Sequence, residues 1–125
     1  MRIPNEIERD EREKFVYFNK IIVRKDKLID YKLITNIQEC GKISSPEILE
    51  FFAKEPINPG LKKETWFTLL GLLLLFKCFK EKSLEWKMIS MNMMRHIKDQ
   101  KEEGLGGSSE IKRAIESLAQ NLLIE

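Results

Sequence analysis

One histidine, two cysteines and a near balance of 22 basic against 20 acidic residues leave this 125-residue chain poor in the groups that most often carry chemistry. His96 has only Asp99 nearby, at i+3, and a pair of that kind does not close a metal shell. Cys40 and Cys78 lie 38 positions apart. Neither has a close-spaced partner for a metal, and two cysteines are too few for a disulfide framework. No Gly-x-Ser-x-Gly elbow is present. Gly104, Gly106 and Gly107 come after no strand, so they read as a linker and not as a phosphate cradle. Glu8 with Glu11, and Glu102 with Glu103, sit in charged, solvated segments where nothing raises a carboxyl pKa for acid catalysis. The expectation is a protein that is not an enzyme and uses no metal or cofactor. A net charge of +2 also argues against strong sequence-independent binding to nucleic acid, which needs many cations on phosphates.

Long apolar runs are missing too, with one short exception. From Trp66 to Phe76 eleven residues pass without a charge, with Lys62, Lys63, Glu64, Lys77 and Lys80 flanking them. A helix of that length covers roughly 16 Å, against about 30 Å of bilayer hydrocarbon. A helix apolar on all sides and too short to span a membrane must be wrapped by other elements. With 42% hydrophobic and 34% charged residues the chain is expected to fold as one domain with its own core. Its first residues, Met1 to Arg12, are charged where a signal peptide would be apolar, so a cytoplasmic, reducing setting is expected.

Caps and spacings predict six helices. Asn5 with Glu8 makes a capping box, starting a helix near Glu6 that carries Ile7, Phe15, Phe18 and Ile22 on one stripe. Residues 15–23 are rich in aromatic and β-branched side chains, and a short strand there is the alternative. For want of a second strand to pair with it, helix is favoured. The second helix starts near Asp26 with Leu28 or Ile29, Leu33, Ile37 and Cys40 in step, and Gly41 closes it. Ser44, Pro46 and Glu47 open a third, which carries Ile48, Leu49, Phe51 and Phe52 and stops before Pro56. The fourth and central helix spans 62–80, and a fifth runs from Ser83 to about Glu103. After a flexible loop at 104–109, the last helix carries Ile111, Ala114, Ile115, Leu118 and Leu122 on one face.

Three patterns bear on function. In the fifth helix Leu84, Met88 and Met91 form one apolar face, while Trp86, Ile89, Met93 and Ile97 form another, a wider arc than one core contact needs. Methionine-rich arcs serve irregular cores or adaptable partner surfaces. Taken as a partner surface, the arc offers Trp86, Met93, Met94 and Ile97 as anchors, large aromatics being frequent hot spots. Next, Leu33 to Phe52 places Gly41-Lys42-Ile43-Ser44-Ser45-Pro46 between two apolar helices. This resembles the first two helices of a winged helix-turn-helix DNA-binding domain, and the resemblance implies an exposed basic recognition helix after them. The chain instead continues with a Pro-Ile-Asn-Pro-Gly loop and its most apolar helix. Last, basic residues gather at Arg24, Lys25 and Lys27, at Lys77, Lys80, Lys82 and Lys87, and at Arg95, Lys98 and Lys101. They are interleaved with acids, as on an ordinary solvated surface.

The sequence therefore predicts an all-α, single-domain bundle of about six helices around residues 62–80. The expected function is a non-catalytic protein–protein interaction module, an adaptor, inhibitor or immunity-type protein, whose partner is another protein or a second copy of itself. The alternative is a nucleic-acid-binding protein using Arg24, Lys25, Lys27, Lys80, Lys82, Arg95 and Lys98 or the partial helix-turn-helix at 33–52.

Overall fold

Leucine at 69, 70 and 72–75 dominates the element around which everything else is arranged. The computed structural model describes residues 20–29, 43 and 45–125. In it a short strand β1 (Ile21–Val23) leads into helix α1 (Lys25–Ile29), followed by α2 (Ser45–Leu49) and α3 (Lys63–Lys77). A single 3-10 turn (Lys80–Lys82) joins α3 to α4 (Ser83–Asp99), and α5 (Ser108–Ala119) leads into strand β2 (Leu122–Ile124). The expected first helix from Glu6, with Asn5, Phe15 and Phe18, lies outside the described residues. So do Leu33, Ile37, Cys40, Gly41 and Ser44.

Among the described residues the fold is mostly helical, and α3 is its centre. Every residue of α3 from Trp66 to Leu75 is buried except Phe67, which is half-buried. α4 lies along one side of it, α5 along another, and α2 also touches it. Aliphatic side chains on all sides of one helix can be desolvated only by such a jacket, each contributing about 1.5–3 kcal/mol when fully buried. Gly71 lets α4 approach closely, since a Cβ built there would lie 2.8 Å from Met93 Cε. Three polar side chains share this interior: Thr68 Oγ1 donates to the Glu64 carbonyl (2.7 Å) and Ser90 Oγ to the Lys87 carbonyl (2.7 Å). Thr65 Oγ1 is buried with no hydrogen-bond partner among the described residues.

The start of α3 is held by a preceding turn and by residues far along the chain. Asn58 Oδ1 accepts from the amides of Gly60 and Leu61, a turn that needs positive φ at Gly60 (96°) and seats Leu61 in the core. At the start of α3 the Glu102 carboxylate accepts the Lys62 amide (2.7 Å), so an acid sits at the positive end of the helix dipole. Lys62 Nζ reaches the Gln100 carbonyl (2.8 Å), fastening the same two segments again.

Three expectations need correction. Residues 21–23 are strand, not helix: β1 pairs in parallel with β2, Ile21 opposite Leu122 and Val23 opposite Ile124. Its other side bridges Phe52, with the Arg24 amide donating to the Phe51 carbonyl (2.7 Å) and the Ala53 amide to the Ile22 carbonyl (2.9 Å). Ile21 and Val23 are buried while Ile22 is half-buried, the alternation a strand imposes on a β-branched run. The same pairing ends two helices early. α2 stops at Leu49 because Phe51 and Phe52 turn their backbone toward β1, and α5 stops at Ala119 because the chain beyond it extends alongside β1. Finally, the loop read as flexible is anchored by Leu105, fully buried, and its last two residues already belong to α5.

Candidate functional site

Helix α4 is apolar on two opposite faces, and packing uses only one of them. Trp86, Met93, Met94 and Ile97, expected as partner anchors, all point inward and join the core, Trp86 at 4% exposure and Met94 at 7%. Their role is structural. The Trp86 indole N–H donates to the Phe79 carbonyl (2.7 Å), and its ring meets Phe76 edge to face, centroids 5.2 Å apart. The tryptophan thereby pins the tight connection between α3 and α4.

The opposite face carries Leu84, Met88 and Met91, exposed by 94%, 71% and 50%. At i, i+4 and i+7 they form one stripe over two turns. Together they present on the order of 400 Å² of apolar surface, within the range of the largest patch on an ordinary monomer, which is often functional. Arg95, one turn further along the same line, is exposed. The sequence displayed both arcs of this helix, and the choice of the Trp86 arc as the outward one is reversed in the fold. Trp86 and the rest of its arc went inside, where α3 packs along α4.

The basic residues expected to form a nucleic-acid face are spread over the β1–α1 segment, the 3-10 turn and α4. Lys80 and Lys82 are exposed in the 3-10 turn, whereas Arg95 (exposed) and Lys98 (half-buried) sit near the other end of α4. From Lys82 to Arg95 the helix rises roughly 20 Å. Arg24 lies 3.4 Å from the Asp26 carboxylate, Lys25 is exposed and Lys27 half-buried, and Lys98 Nζ donates to Ser108 Oγ (2.9 Å). In the partial helix-turn-helix the residues before 43 lie outside the described part. The helix in the place of a recognition helix is α3, whose side chains are enclosed and cannot reach base edges.

A different basic grouping does form, one that spacing could not show. Lys112, on the outer side of α5, comes beside Lys77 at the end of α3 and Lys80 in the 3-10 turn, around a hollow of about 290 Å³. Phe76 and Ile115 supply its apolar lining, and Glu116 completes it. Lys77 Nζ is 2.7 Å from Glu116 Oε1. Near by in sequence, Cys78 is half-buried, and burial pushes its thiol up to about 11, far from the thiolate a nucleophile requires. His96 Nε2 lies 3.7 Å from Glu64 Oε2, which also accepts from Gln100 Nε2 (3.3 Å). Among the described residues no three His, Cys, Asp or Glu are grouped to hold a metal, and no helix is long and apolar enough to cross a membrane.

The described residues form a small, mostly helical fold in which α4 has a bare apolar face. The chain matches no known protein family, no curated protein and no solved structure.

Proposed function

We propose that this protein acts without catalysis, as an interaction module that docks an amphipathic helix of a partner protein along Leu84, Met88 and Met91. The observation that carries this reading is the exposure of three large apolar side chains on one stripe, on the side of α4 that its own core does not need. The stripe ends at Arg95, so the complementary helix has apolar residues over two turns and an acidic residue one turn beyond, in the helix-in-groove style of recognition. Charge at such a rim sets orientation and encounter rate more than affinity.

A stripe of about 400 Å² is half of what one side of a standard stable interface buries. With the partner's matching area the total is about 800 Å², below the roughly 1,200 Å² at which stable interfaces begin. The complex is therefore transient, which suits an adaptor or inhibitor.

Two helical peptides test this. Both carry Leu at i, i+4 and i+7, one with Glu and one with Lys at i+11. Calorimetry should show the Glu peptide binding the protein more tightly than the Lys peptide, and Met88→Glu abolishing both. Binding that ignores Met88→Glu would refute the docking face. A dimer by light scattering that Met88→Glu dissociates would instead make a second copy the occupant, overturning the foreign partner.

A further inference from the structure

The hollow between α3, the 3-10 turn and α5 uses none of the stripe's residues, and its chemistry points elsewhere. Three lysines line it with one glutamate. Glu116 is held by Lys77 at 2.7 Å, so those two charges largely cancel. Lys80 and Lys112 have no acidic partner among the described residues, which leaves two positive charges facing a shared space. Lys80, just past the end of α3, also answers the negative end of that helix dipole. Lys112 has no such duty, because it stands on the outer side of another helix with no need of its own to face inward. Beneath the charges lie the half-buried Phe76 ring and Ile115. A purely solvated lysine surface would have no apolar floor.

We infer that this hollow binds a small dianion on an apolar body, a phosphate monoester of an aromatic or aliphatic alcohol. The doubly charged phosphate matches Lys80 and Lys112, which act as point charges. The organic group covers the half-buried Phe76 ring and displaces water from it, with Ile115 buried beneath. A volume of about 290 Å³ lies at the lower edge of ordinary ligand sites and holds the equivalent of about ten waters. That space suits a single ring or short chain with its phosphate.

The test is a titration of the full chain with phenyl phosphate, followed by ¹H–¹⁵N NMR, with inorganic phosphate and phenol as separate arms. Shifts should concentrate at Phe76, Lys80, Lys112 and Ile115. Affinity should fall about tenfold for Lys80→Ala or Lys112→Ala, the usual scale of one charge-assisted contact, and further for the double variant. Both residues are exposed, so these variants keep the fold, and Lys63→Ala on the far end of α3 should bind like the parent. Phenol alone and inorganic phosphate alone should each bind at least tenfold more weakly than the ester. Inorganic phosphate binding as well as phenyl phosphate, or a Lys80→Ala/Lys112→Ala protein binding unchanged, would overturn the inference.

Discussion

Replacing Trp86 separates the two faces of α4 by stability. The ring is 4% exposed, donates one hydrogen bond at 2.7 Å and contacts Phe76 at 5.2 Å. Truncating such a tryptophan to alanine removes its transfer energy and leaves a cavity, at about 3–5 kcal/mol. Loss of the donor to the Phe79 carbonyl puts the value at the upper end, near 5 kcal/mol, with the individual contributions overlapping. Domains of this kind are stable by about 5–15 kcal/mol in all. At roughly 4 °C per kcal/mol for this chain length, Trp86→Ala should lower the melting midpoint by about 15–20 °C, or leave the protein unfolded. Trp86→Phe keeps an aromatic edge against Phe76 and loses the N–H, so about 1–2 kcal/mol is expected. Leu84→Ser removes a side chain that is 94% exposed and should stay within about 0.5 kcal/mol, or about 2 °C. Far-UV circular dichroism melts and urea titrations of the three variants decide it. If Trp86→Ala melted with the parent while Leu84→Ser fell by ten degrees or so, the assignment of inner and outer face would be refuted.

The interior supplies further tests. Thr65→Val should raise stability by about 1 kcal/mol in urea denaturation, because a buried hydroxyl without a partner among the described residues is exchanged for a methyl of the same shape. At Gly71 the gain in helix propensity, about 1 kcal/mol, opposes contact with Met93 Cε, the free end of a flexible chain. Gly71→Ala should therefore shift stability by less than about 1 kcal/mol, whereas Gly71→Leu forces α3 and α4 apart and should cost about 3 kcal/mol or more. Cys78, with its thiol pushed from 9.0 to about 11, should react with iodoacetamide at pH 8 about a hundredfold more slowly than a free thiol, measured in a Cys40→Ser background. The native state keeps this proton after the unfolded chain has lost it. The thiol's contribution is accordingly intact below pH 9.0 and declines as pH rises toward about 11, so the midpoint should fall across that window and recover in Cys78→Ala.

Much of the architecture was legible because local and global preferences agree in it. The run from Trp66 to Phe76 admits no solvated face, so it had to be the central buried helix, and it is. Ser83 stands at the start of α4, and in α5 the inward residues Ile111, Ala114, Ile115 and Leu118 keep the expected period. The strand pair was not legible. Ile21 to Val23 had the composition of a strand, but its partner lies a hundred residues away in a segment whose leucines equally extend the period of α5. No local signal separates those two uses of Leu122.

Sequence by itself determined which helix is enclosed, roughly where α3, α4 and α5 begin, and that few groups for catalysis or metal binding are present. These are properties of composition and of periods within ten or twenty residues, and local sterics and solvation enforce them. Tertiary structure alone decided the β1–β2 pairing, which apolar arc of α4 faces outward, and the meeting of Lys112 with Lys77 and Lys80. Each of these depends on how elements distant in the chain fill one another's space, and desolvation energy is indifferent to the order of residues along the chain.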